Sequence, residues 1–206
     1  MSVNKHKVFI SYYHHKDQFH KNYLIDVLNP THDLFDDYSV NQDEIDETGK
    51  SDETIRRIIR DDYIADATVL ILLCGVETKY RKFVDWELHA AMYDTELNPK
   101  MGVIVINLPT ISQSRRGPTD IEKPLVSPGS TNWTSLNTRS EYESHYPYMP
   151  SRIIDCLEKK KSEIAVTDWS IIESNPHILK ELVDISFRRR KNVQYDTSSP
   201  LRRRNS

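Results

Sequence analysis

Three uninterrupted apolar runs constrain this chain more than any other feature. They are Val8-Phe9-Ile10-Ser11, Thr68-Val69-Leu70-Ile71-Leu72-Leu73 before Cys74-Gly75, and Gly102-Val103-Ile104-Val105-Ile106-Asn107. None shows the polar alternation of a half-solvated strand, so each fits a strand covered on both faces, as in a parallel sheet. Leu34 to Val40 reads as a short further strand, with Asp36 and Asp37 near its end. Between the runs the apolar spacing becomes helical. Phe19, Tyr23, Leu24, Val27 and Leu28 mark a helix over residues 17–28, stopped by Asn29-Pro30. Ser51 can cap the next helix, although Thr54 holds the capping-box position in place of Glu or Gln. Ile55, Ile58, Ile59 and Ile64 form its buried stripe, leaving Arg56, Arg57 and Arg60 outward or at the edges. A third helix runs from about Phe83 to Leu97 and closes at Asn98-Pro99. Strands alternating with helices imply right-handed crossovers. The fold class is therefore α/β, a doubly wound, mainly parallel, flavodoxin-like sheet with helices on both faces.

The 206 residues suit one domain with an appendage. Residues 1–165 are expected to form the α/β domain, including an irregular excursion over 110–150 rich in Ser, Thr, Pro, Gly and Asn. A closing helix over 150–161 would turn Ile153, Ile154 and Leu157 inward. Residues 166–206 are expected to form a helical extension, with a helix over 176–190, and a basic, disordered tail. A net charge of −3 provides no general drive toward nucleic acid or membranes. The Arg188-Arg189-Arg190-Lys191 cluster lacks interleaved aromatics and reads as solvated. The longest apolar run, Ala67 to Val76, is too short to span a bilayer, and no apolar leader precedes the first strand. Cys74 and Cys156 read as buried reduced thiols, and the expected compartment is the cytoplasm.

Ligands of open parallel sheets bind beyond the carboxyl ends of the strands. The rims after Ser11, near Asp36 and after Cys74 are therefore the places to look. On a helical wheel Val84, Leu88, Ala91 and Met92 mark the buried face of the third helix. Glu87 falls at one border of that face, near the rim, where a carboxylate is partly desolvated. Pairing with Arg81 or Lys82 is the plain alternative. Trp86 reads as packing, and Asp36 lies near one of these strand ends. His14-His15-x-Asp17-x-x-His20 invites a metal reading, but adjacent histidines seldom converge on one ion and nothing completes the set, so no metal is expected. With no Gly-x-Gly-x-x-Gly, no P-loop and no Gly-x-Ser-x-Gly elbow, redox dinucleotide use, P-loop phosphate binding and serine hydrolysis are disfavoured.

Val8-Phe9-Ile10-Ser11-Tyr12, Ser51 to Arg60, Thr68 to Gly75, and Thr78-Lys79-Tyr80-Arg81-Lys82-Phe83-Val84-Asp85-Trp86-Glu87 together resemble the TIR-like family. The likeness is closest to the branch that serves as the sensor subunit of Thoeris antiphage systems, and it covers roughly residues 5–107. The resemblance implies an enzyme that uses NAD as substrate, with no other cofactor. Such an enzyme cleaves the nicotinamide–ribose bond and makes an ADP-ribose-derived signal for a partner effector. It implies that Glu87 is the catalytic carboxylate. It places Ser11, Tyr12 and Tyr13 where the family's substrate pocket carries an aromatic or hydroxyl group. Arg81 would orient the loop, pair with an acid or meet a phosphate, and Asp36 is a candidate ribose contact. A phage-derived trigger and self-association belong to the same expectation. Two other functions remain open: a non-catalytic interaction module of this fold, and a glycosidase acting on another nucleoside or nucleotide.

Overall fold

The computed structural model describes residues 5–39, 48–64, 66–96, 99–111, 123–126, 135–160 and 162–205. Five strands, β1 (Lys7–Ser11), β2 (Asp36–Asp37), β3 (Val69–Cys74), β4 (Gly102–Asn107) and β5 (Ala165–Asp168), form one sheet in the order β2-β1-β3-β4-β5. Every neighbouring pair is parallel, with Ile10 opposite Ile71, Ile71 opposite Ile104 and Ile104 opposite Ala165. This is the flavodoxin-like order, in which the topology reverses between β1 and β3.

Alternation along the strands splits the apolar residues into two cores. Phe9, Leu70, Leu72, Val103 and Val105 meet residues of α3 (Asp52–Ile58), α4 (Lys82–Met92) and α7 (Ser151–Glu158). Val8, Ile10, Ile71, Leu73, Ile104 and Ile106 meet residues of α1 (His14–Tyr23), α8 (Trp169–Ser174) and α9 (His177–Arg189). Gly102 opens β4 because α9 crosses there: a Cβ would lie 2.5 Å from the Ser186 carbonyl oxygen. Two short helices, α5 (Lys123–Val126) and α6 (Arg139–His145), lie within the expected excursion, much of which falls outside the described residues. α6 carries the reciprocal Thr138–Glu141 capping box at its start.

Several expectations require correction. Asn29-Pro30 does not stop the first helix. The π turn Leu24–Leu28 carries it into α2 (Asn29–His32), and the chain leaves the helix at Asp33, in the left-handed conformation with φ 54°. The wider turn accommodates a proline that has no N–H to contribute. The stripe also rotates, leaving Phe19 72% exposed while Leu24 and Leu28 are buried. A second π turn, Ile59–Tyr63, extends α3 and brings Arg60 inside, not outward. α4 ends at Met92, short of the expected Leu97, which with Asn98 lies outside the described residues. There the Asp94 carboxylate accepts from the Lys100 amide (3.0 Å) and ammonium (2.9 Å) and holds the turn toward β4. Most of the expected 41–50 loop is also outside the described residues.

β5 and α8 were not expected, and the anticipated boundary at residue 165 coincides with the first residue of β5. The tail expected to be disordered is placed against the domain, because Val193 and Leu201 are buried and its main chain is hydrogen-bonded. The Trp86 indole donates to the Arg202 carbonyl (2.7 Å), the Arg202 amide donates to Asp85 (2.9 Å), and the Lys82 amide donates to Asn205 (2.9 Å). The last residues thus cross the first turns of α4.

Candidate active site

β1 alternates so that Phe9 and Ser11 face α4, while Ile10 and Tyr12 face α1. Ser11 therefore meets the sixth residue of α4. Its hydroxyl donates to the Glu87 Oε2 at 2.6 Å, and both side chains are buried, Glu87 being only 3% exposed. Burial pushes the Glu87 carboxyl up to about 8, and the Ser11 hydrogen bond opposes that rise. Glu87 is thus deeper than the border position that the helical wheel suggests.

Tyr13 and Arg81 join the same rim. The Arg81 guanidinium lies 3.9 Å from the Tyr13 ring centroid and pairs with Glu77. Tyr12 does not join them. It stacks on His14, with centroids 4.4 Å apart, and its hydroxyl donates to Gln18 at 2.8 Å among the residues of the other core. Asp36 is not at the rim either. It is exposed and pairs with Lys7, four residues before Ser11, about 13 Å lower along the strand at ~3.3 Å per residue.

A second buried carboxyl, Asp17, was weighed from the sequence only as a metal ligand. It sits in the first turns of α1, between the rim of β1 and the loop after β3. Its Oδ2 is 3.5 Å from the Thr78 hydroxyl, which in turn accepts the Gly75 amide hydrogen at 2.8 Å. Burial raises the Asp17 pKa to about 6, against hydrogen bonds from Thr78 and the Tyr13 backbone. The signal available in the sequence was an acid just past a strand end, at the start of a helix. His14 and His20 contact different rings, Tyr12 and Trp169, and among the described residues no three His, Cys, Asp or Glu groups converge. Gly75 leaves room for Asp17: a Cβ there would lie 2.5 Å from its Oδ1. Gly75→Ala should therefore cost roughly 1–3 kcal/mol of stability in chemical denaturation.

A cavity of about 410 Å³ lies beside the rim, between the turn Thr78–Tyr80, the α6–α7 connection and Arg202; Glu87 does not line it. The site thus consists of two buried, hard-to-ionise carboxyls at the carboxyl edge of a parallel sheet, beside a cation–aromatic stack. A carboxylate in such surroundings stabilises developing positive charge more strongly than it would in water.

A five-stranded parallel sheet in the order 2-1-3-4-5, covered by helices on both faces, is a flavodoxin-like α/β fold, the architecture of TIR-like domains. The chain belongs to the family of the Thoeris protein ThsB, TIR-like domain, whose model matches residues 9–113 of the 206. It is a TIR-like module of Thoeris defence. No curated protein and no solved structure gives a significant match. Among the described residues no helix is long and apolar enough to cross a membrane.

Proposed function

We propose that this domain cleaves the bond between nicotinamide and ribose in NAD and makes an ADP-ribose-derived signal for a partner effector in phage defence. The observation that carries the reading is the buried Ser11–Glu87 pair at the carboxyl edge of the sheet. In this reaction the C1′–N bond breaks, and its electron pair leaves with the nicotinamide ring, which becomes neutral. No general acid is needed at the leaving group. The ribose carbon passes through an oxocarbenium-like state that an ionised Glu87 would stabilise. Water, or a nucleophile on the substrate itself, then captures that carbon; the second route gives a cyclic product. Tyr13, held flat by Arg81, offers a face on which the nicotinamide or adenine ring could stack.

One feature favours a second reading, that of a non-catalytic module. Glu87 is covered, so substrate can reach it only after its surroundings open. A resting sensor that opens on a phage-derived trigger would reconcile the two. The test is nicotinamide release from NAD by the purified chain, and by lysate of infected cells expressing it, beside Glu87→Gln. Release by the wild type that the variant lacks supports catalysis. Equal release by both, or none from infected lysate, favours the module.

A further inference from the structure

At the far end of α4, a cleft of about 130 Å³ opens between that helix and α3 with its π turn. Arg56, Arg57, Arg60, Tyr93 and Thr95 line it, with Glu53 and Asp61. Arg60 is the anomaly. It is only 7% exposed, yet of its donors only Nη2 is engaged, giving 2.6 Å to the Pro99 carbonyl oxygen. Nε and Nη1 are buried without an acceptor. A buried guanidinium with open donors is costly, and folded proteins usually meet such donors with an acceptor or an anion.

Among the described residues none accepts from Arg60 Nε or Nη1. Both oxygens of the nearby Asp94 are engaged by Lys100. The Arg56 guanidinium is fixed over the Tyr93 ring, 3.7 Å from its centroid, and Arg57 is exposed. Three guanidiniums against two carboxylates leave the lining net positive. Desolvation lowers the pKa of Arg60, with Asp61 and Asp94 opposing the shift, as expected of a cation held away from water.

We propose that this cleft binds one phosphate-class oxyanion, held by Arg60 Nε and Nη1 inside and by Arg57 at its outer edge. Its volume is far below the ~300–1,000 Å³ of sites for drug-sized ligands. It therefore admits a free phosphate or the terminal phosphate of a monoester, and not a dinucleotide. Ala90 of the wall lies three residues beyond Glu87 on α4, but the proposal does not depend on the chemistry assigned to Glu87.

The test is titration of the full chain at constant ionic strength, followed by the arginine Nε–H signals in proton–nitrogen spectra. Arg60→Gln identifies the Arg60 signal by its disappearance. Sodium phosphate should shift that signal saturably, where the same concentration of chloride does not. Affinity should fall at least about threefold in Arg57→Gln, an exposed position that leaves the fold intact, and in Arg60→Gln the Arg57 signal, identified by its absence from Arg57→Gln, should show no saturable shift. Adenosine monophosphate saturating the signal at lower concentration than phosphate assigns a monoester; the reverse order assigns free phosphate. No saturable shift with either ligand, or unchanged affinity in Arg57→Gln, overturns the proposal.

Discussion

Replacing Arg152 with Met should lower the unfolding free energy by roughly 3–5 kcal/mol, the range for removing one partner of a buried ion pair. Arg152 is almost wholly buried, with Nε 3.0 Å and Nη2 3.1 Å from the two carboxylate oxygens of Asp85. The same guanidinium donates to the Ser199 and Pro200 carbonyls, both at 3.2 Å. A single side chain on α7 thus joins α4 to the C-terminal tail. Its loss leaves Asp85 poorly compensated and two tail carbonyls without donors. Much of the effect should therefore be the unpaired charge, not lost attraction. In that case the double variant Arg152→Met, Asp85→Leu should be more stable than Arg152→Met alone, despite losing the Asp85 bond to the Arg202 amide. Urea denaturation of the three proteins checks the order. A double variant less stable than Arg152→Met would show that the unpaired charge is not the main loss. Residues 193–205 should also become the first site of limited proteolysis in Arg152→Met, because their anchorage is gone.

The parts of this molecule that were legible in the sequence are those for which only one physical arrangement exists. An uninterrupted run such as Thr68–Leu73 can be buried only between two layers, so β1, β3 and β4 and the parallel sheet follow from it. β5 was not legible, because Ala165-Val166 is too short a run to differ from a loop until β4 offers it an edge. Arg60 could not be placed by a wheel at 100° per residue, since a π turn changes the angle where Arg60 begins to turn inward. The tail has few apolar residues and is held chiefly by main-chain groups bonding Asp85, Trp86 and Arg152, a pattern composition does not encode. Helical phase put Glu87 only at the border of the buried face, short of the burial observed, and the catalytic expectation for it came from the family likeness alone. Strand alternation from Phe9 and Ser11 separates Tyr13 from Tyr12. Asp36 was misplaced because a two-residue strand does not reveal which end of the sheet it joins.

Glu87→Gln should make the protein more stable at neutral pH while removing its proposed activity. The folded state raises the Glu87 pKa from 4.5 to about 8, so folding favours the protonated acid. Its contribution is fully present below pH 4.5. It is lost as pH rises toward 8, because the unfolded chain ionises first. At ~1.4 kcal/mol per unit, roughly 3 kcal/mol is forfeited by pH 7. A neutral amide that still accepts from Ser11 escapes that loss, although its nitrogen needs an acceptor and part of the gain goes there. Asp17, raised from 3.8 to about 6, tilts both proteins alike, so the difference between them isolates Glu87. Their stabilities should converge near pH 4.5 and separate up to about pH 8. Activity should follow the opposite course. Only an ionised carboxylate stabilises the oxocarbenium-like state, so wild-type kcat/KM should climb about tenfold per pH unit and level off near 8. The variant should lose on the order of 100-fold or more at pH 8 and above, a gap that narrows as the pH falls and wild-type Glu87 becomes protonated. A bound nicotinamide cation favours ionisation, so the midpoint in kcat should lie below that in kcat/KM. A Glu87→Gln protein that is less stable at pH 7 and still turns over NAD would make Glu87 a packing residue and remove the basis for the proposed chemistry. Greater stability with lost turnover is what a carboxylate retained for function, against its cost to the fold, would produce.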